Sequence, residues 1–111
     1  MATTYKDRIL EQVPATSTAI YTAPTVSSAH IMYATVHNES ASSETLTINI
    51  VQSGSSVAVS NQYLSVDVGA GKSRVLYEIV GRVLMTGDAI YAVSTDASSL
   101  NLSMGIKEIT S

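Results

Sequence analysis

His30 and His37 are the first place to look for chemistry, because a pair of imidazoles can begin a metal site or a proton relay. They stand seven residues apart in AHIMYATVHN (29–38), which reads as one strand. An odd separation on a regular strand sends two side chains to opposite faces, so the pair is not expected to meet on one ion. No cysteine or carboxylate cluster joins them, and a hydrogen-bonding surface role is the expectation for both. GAGKS (69–73) ends like a phosphate-binding loop. The full motif needs a glycine where Val66 stands and a helix afterwards, where RVLYEIV (74–80) reads as a strand. A β-turn is the expectation. Serine is abundant enough for a Ser–His–acid triad, yet no Gly-x-Ser-x-Gly elbow occurs. Asp67, Glu78 and Asp88 could act as paired acids only if folding brought two into one cleft, and nothing in their spacing requires it. They read as solvated acids at sheet rims. The chain therefore reads as no enzyme, with no catalytic, metal-binding or cofactor-binding residues and no cofactor.

What must position these residues is a series of short alternating strands. ETLTINIV (44–51) sets Leu46, Ile48 and Ile50 against Thr45, Thr47 and Asn49, the period of two that gives a strand one buried and one wetter face. TAIYTAP (18–24), VAVS (57–60), YLSVDV (63–68), AIYAVS (89–94) and LNLSMGI (100–106) follow the same pattern, separated by turn residues every 8 to 12 positions. Residues 29–38 and 74–80 are apolar on both parities, which makes each either central in a sandwich or covered on one face by a partner. No stretch sustains a helical period. The expectation is an all-β, antiparallel β-sandwich of about eight strands, jelly-roll-like, over residues 18–111. Residues 1–17 differ, with Lys6, Asp7, Arg8 and Glu11 around Ile9 and Leu10. A helical turn, an edge strand or a mobile arm all fit. An extended N-terminal arm that docks on the domain or on a neighbouring subunit is the preferred reading.

The composition narrows the function classes. With 111 residues there is room for one domain. Charged residues make up 14%, while 29 positions are Ser or Thr, so the faces should be flat, weakly charged and suited to protein partners. A net charge of −3 and six scattered basic residues argue against nucleic-acid binding. No run approaches a membrane span, and the charges near the start interrupt any signal-peptide core. The sequons at Asn38 and Asn101 carry no weight without such a signal. Six tyrosines, at positions 5, 21, 33, 63, 77 and 91, are the only aromatic residues. They suit half-buried and interface positions, with Tyr5 and Tyr33 the first expected to meet another subunit.

The order of YTAP (21–24), VHNES (36–40), SETLTINIV (43–51), VLMTGDAIYAVST (83–95) and SLNLSMGIKEI (99–109) resembles small β-sandwich virion proteins of tailed bacteriophages. The resemblance covers residues 18 to 109 and implies a virion structural protein made in the host cytoplasm. It would be a capsid decoration or cement protein, a head-spike base or an adaptor, with the major capsid protein or another virion protein as partner. A homo-oligomer fits such a lattice, a trimer being the first choice. Tyr5, Ile9, Leu10, Ile31, Tyr33 and Leu76 are then the candidate interface residues, from the arm and the two doubly apolar strands. The alternatives are a tail or neck adaptor and a glycan- or receptor-binding module. The latter would draw on Asn61, Gln62 and Tyr63 in SNQY (60–63).

Overall fold

The computed structural model describes residues 2–110, and of residues 2 and 4–11 the backbone alone. Nine strands form: β1 (Ala2–Gln12), β2 (Thr18–Thr22), β3 (Ser27–Asn38), β4 (Glu44–Val51), β5 (Gln62–Val68), β6 (Ser73–Val75), β7 (Val83–Leu84), β8 (Ala89–Ser94) and β9 (Leu100–Thr110). One sheet has the order β1-β9-β3-β6, with β7 also on β3, and the other β2-β8-β4-β5. All pairings are antiparallel. Without the two-residue β7, the pairs β1–β9, β2–β8, β3–β6 and β4–β5 are those of a long antiparallel ribbon rolled over on itself. That is a jelly roll, in which each sheet mixes early and late strands. Residues 2–12, read as part of an arm, supply the outer strand β1. The segment after it is tied down: Val13 is fully buried and its N–H donates to Leu100 O, while Pro14 O accepts from Ser94.

The core lies between the two sheets and is aliphatic. Leu46 and Ile48 from β4 and Ile90 from β8 face Ala29, Ile31, Ala34 and Val36 from β3 and Leu100, Leu102, Met104 and Ile106 from β9. β9 alternates along its length and is flanked by β1 and β3, and none of its residues is exposed. At the Thr110 end, the inward residue is Glu108, which is buried and accepts a hydrogen bond across the sandwich from the Tyr21 hydroxyl on β2.

Two segments read as strands are not. Residues 57–60 run into a 3-10 turn, Val59–Asn61, and lie over the outer side of Asn49. In RVLYEIV, β6 ends at Val75. The chain then turns, with Leu76 N bonded to Ala34 O and Ile79 N to Leu76 O. Leu76 and Ile79 plug the open side of the sandwich while Tyr77 points to solvent. Its double apolar parity therefore marks a turn that buries two residues three apart, Leu76 and Ile79. The equally doubled parity of β3 has another cause. Between Ile31 and Tyr33 the pairing with β9 shifts by one residue, a β-bulge at Met32. Ala29 and Ile31 face inward before it, and Ala34 and Val36 after it. One extra residue switches the phase of the alternation.

Candidate functional site

The bulge decides where the histidines go. His30 pairs with Val83 and Lys107, and His37 with Ser73 and Asn101. The inward neighbours of both are core residues, so both imidazoles face outward on the same side of the sheet, not on opposite faces as regular alternation demands. They still stand at opposite ends of β3, about 20 Å apart at strand rise. Among the described residues no group of three His, Asp or Glu side chains is placed to hold a metal. His37 Nδ1 lies 2.8 Å from Ser73 Oγ, an exposed cross-strand contact. Among the described residues no carboxylate bonds the other ring nitrogen, so the pair lacks the orienting acid of a hydrolytic triad.

The acids are held apart. Asp67 accepts from Thr45 Oγ1, Asp88 accepts the backbone N–H groups of Ser53 and Met85, and Glu78 takes a two-pronged bond from Arg74. That hydrogen bond, with one from its own backbone, keeps the Glu78 carboxyl below the usual carboxylate range. Burial, reinforced by the bond to Glu108, holds the Tyr21 hydroxyl well above the ordinary phenol range. GAGKS is the turn between β5 and β6: Lys72 N–H bonds back to Gly69 O, and Gly71 has φ +70°, the left-handed backbone that glycine adopts without strain. The sequon at Asn38 is a structural device. Asn38 is fully buried, its Nδ2 donates to Ser42 O and Val68 O, and its Oδ1 accepts from the N–H and Oγ of Ser40.

Of the candidate interface residues, Ile31 and Leu76 are core residues with no surface to offer a partner. Ile31 precedes the bulge and points inward, and Leu76 lies in the plugging turn. The side chains of Tyr5, Ile9 and Leu10 lie outside the described residues; their backbones belong to β1. Tyr33 is 41% exposed and lies across Gly105 of β9, where a Cβ would stand 2.2 Å from its ring. Around it the outer face carries the exposed Met32, with Val75 opposite Thr35 and Val83 opposite His30. Sequence reasoning took Ile31, Tyr33 and Leu76 from the two doubly apolar segments, passed over Met32 and Val75 on the opposite parity, and did not single out Val83.

The same end of the molecule as the Asp88 turn holds a cleft of about 320 Å³, lined by Ile50, Gln52, Ser55, Ser60, Asn61 and Tyr63. Asn61 and Tyr63 come from the SNQY stretch, while Gln62 pairs with Asn49 and does not line the cleft. Tyr63 is the extra residue of a second bulge, between Ile48 and Asn49 in the β4–β5 pairing. Bulges beside sites re-aim a side chain in this way.

No protein-family model matches the chain, and no curated protein is detectably similar to it in sequence. Solved structures share its fold. A chain of the Bacillus endospore appendages, described as a family of disulfide-linked pili, superposes with a TM-score of 0.57 at 16% identity, over 98% of this chain and 87% of that one. A chain of the T13 IBDV viral particle gives 0.53 at 12%, over 98% of this chain and 31% of that one. One from the Gx strain of infectious bursal disease virus gives 0.51 at 14%, over 98% and 33%. This chain thus spans about a third of each viral chain and most of the appendage chain. At these identities the likeness is one of fold: an all-β double sheet of the kind found in capsid and pilus subunits.

Proposed function

We propose that this protein is a structural subunit of a multi-copy particle, and specifically a capsid decoration or cement protein of a tailed-phage virion. The observation that carries the reading is the outer face of the β1-β9-β3-β6 sheet. There Met32, Tyr33, Val75 and Val83 form an exposed apolar group on a fold whose core is already closed. Such a face suits protein contacts repeated by symmetry. The fold likeness to capsid and appendage subunits supports assembly as the role, and the sequence resemblance supports the phage head as the place. With no cysteine, this chain would hold its neighbours without the disulfides named for the appendage family. Of residues 1–17, residues 1–12 would act as the arm, since Val13 and Pro14 are held by this domain, with β1 pairing to a neighbour's β9 in the particle as it does to its own β9 here.

Sedimentation of the purified protein, combined with binding to phage heads stripped of accessory proteins, tests the proposal. A trimer or other closed oligomer that saturates the heads at a fixed stoichiometry is the expected result. Binding to tails or necks instead would move it to an adaptor role, and a strict monomer that ignores both would overturn it. Removing residues 1–12 keeps Val13 in the core, so loss of head binding with retained β structure would identify the arm as the gripping element.

A further inference from the structure

The cleft beside Tyr63 is not used by the assembly role. Ile50 and the Tyr63 ring supply apolar surface, and Gln52, Ser55 and Ser60 supply an amide and two hydroxyls. Among the described residues these three side chains make no hydrogen bond within the protein, so their donors and acceptors are open to a ligand. Asn61 is the opposite case. Its Oδ1 accepts from Asn49 Nδ2 at 2.8 Å and from Ala58 N–H at 3.1 Å, and its Nδ2 donates to Ser56 O at 2.9 Å. Asn49, 4% exposed, also donates to Ala58 O. These bonds freeze the loop that carries Ser55 and Ser60, so the cleft is formed in advance and little ordering cost falls on binding. The Arg82 guanidinium lies 4.9 Å from the Tyr63 ring centroid and does not line the cleft. It steadies the ring through a cation–π contact.

No ammonium, guanidinium or carboxylate lines this cleft, so its lining offers a phosphate, sulfate or sialic-acid group no direct ion pair and a glycosidic bond no acid. An aromatic ring next to neutral amide and hydroxyl groups matches the alternating C–H faces and hydroxyls of an uncharged sugar. At about 320 Å³ the space is at the small end of ligand sites and admits one residue of a chain. We propose that the cleft binds a neutral saccharide unit of a surface polysaccharide, without cleaving it. The proposal stands independently of the assembly reading.

Nuclear magnetic resonance titration of the intact protein with glucose, galactose, mannose and N-acetylglucosamine, followed by calorimetry on neutral oligosaccharides, tests it. At least one sugar should shift the amides of residues 52, 55, 60 and 63. Gln52→Ala and Ser60→Ala should each weaken binding by roughly fivefold to tenfold, with spectra otherwise unchanged because both residues are exposed. Ser98→Ala, on a distant exposed loop, should bind as the parent does. Absence of any shift at millimolar sugar, shifts confined to another surface, indifference to Gln52→Ala, or preference for sialylated or sulfated chains would each overturn the assignment. Sedimentation of the same variants reads the assembly role separately.

Discussion

Single residues hold this fold at points where alternation alone would fail. Gly105 is one, because the Tyr33 ring occupies the space a side chain would take. Gly105→Ala should therefore destabilise the protein by about 1–3 kcal/mol in urea denaturation. Much of that loss should disappear in the Tyr33→Ala background, since the clash is with a side chain and not with backbone. Tyr21 is another. Its hydroxyl donates the one hydrogen bond that the buried Glu108 carboxylate accepts among the described residues. Tyr21→Phe should cost about 1–3 kcal/mol at neutral pH by leaving that carboxylate without a donor. Burial and Glu108 raise the folded-state pKa of Tyr21, so the folded protein holds the phenolic proton more tightly than the unfolded chain. The contribution is then full below the unfolded tyrosine value of about 10 and is lost as pH rises above it towards the folded value. Denaturation midpoints of parent and Tyr21→Phe proteins should converge above about pH 10, and a gap constant with pH would refute the linkage.

Among the strands, β3 shows how one inserted residue organises many. Met32 is itself 51% exposed, and as a side chain it adds little to the core. As a position it is the extra residue that the bulge absorbs, so that Ala34, Val36 and Asn38 stay inward although Ala34 stands three residues after Ile31. Deleting Met32 should leave Ile31, Tyr33 and Ala34 directly opposite Ile106, Gly105 and Met104 with Ala34, Val36 and Asn38 still inward, so the variant should fold, with a change in stability under about 3 kcal/mol. Met32→Lys should shift stability by less than about 0.5 kcal/mol. Circular dichroism and urea denaturation check both, and a deletion variant that fails to fold would refute the phase argument. The β5 bulge at Tyr63 does for the cleft what the β3 bulge does for the core.

The whole protomer exposes 5847 Å², close to the roughly 5,900 Å² expected of a compact monomer of its mass. The subunit therefore closes its core without a neighbour, and assembly should be separable from folding. Val75→Lys together with Val83→Lys places two charges on the exposed apolar face without touching a core side chain. The double variant should keep its thermal midpoint within a few degrees and lose oligomerisation or head binding by at least roughly tenfold. Unfolding without change in assembly would assign that face to stability instead.

The alternation of Leu46, Ile48 and Ile50, the spacing of turn residues and the absence of helical periods settled the all-β double sheet, since those signals are local and need no partner strand to be read. The glycine turn at GAGKS was legible for the same reason. Whether β3 and the 74–80 segment were doubly buried, bulged or turned depended on where a neighbouring strand loses a residue of register. That is a property of the pair and not of either sequence. The same holds for the shared face of His30 and His37, the retreat of Ile31 and Leu76 into the core, and the cleft that gathers Gln52, Ser55 and Ser60 around Tyr63. Side-chain chemistry and period two are written residue by residue. Register and phase arise only when strands far apart in the chain pair, and the tertiary structure alone decided them.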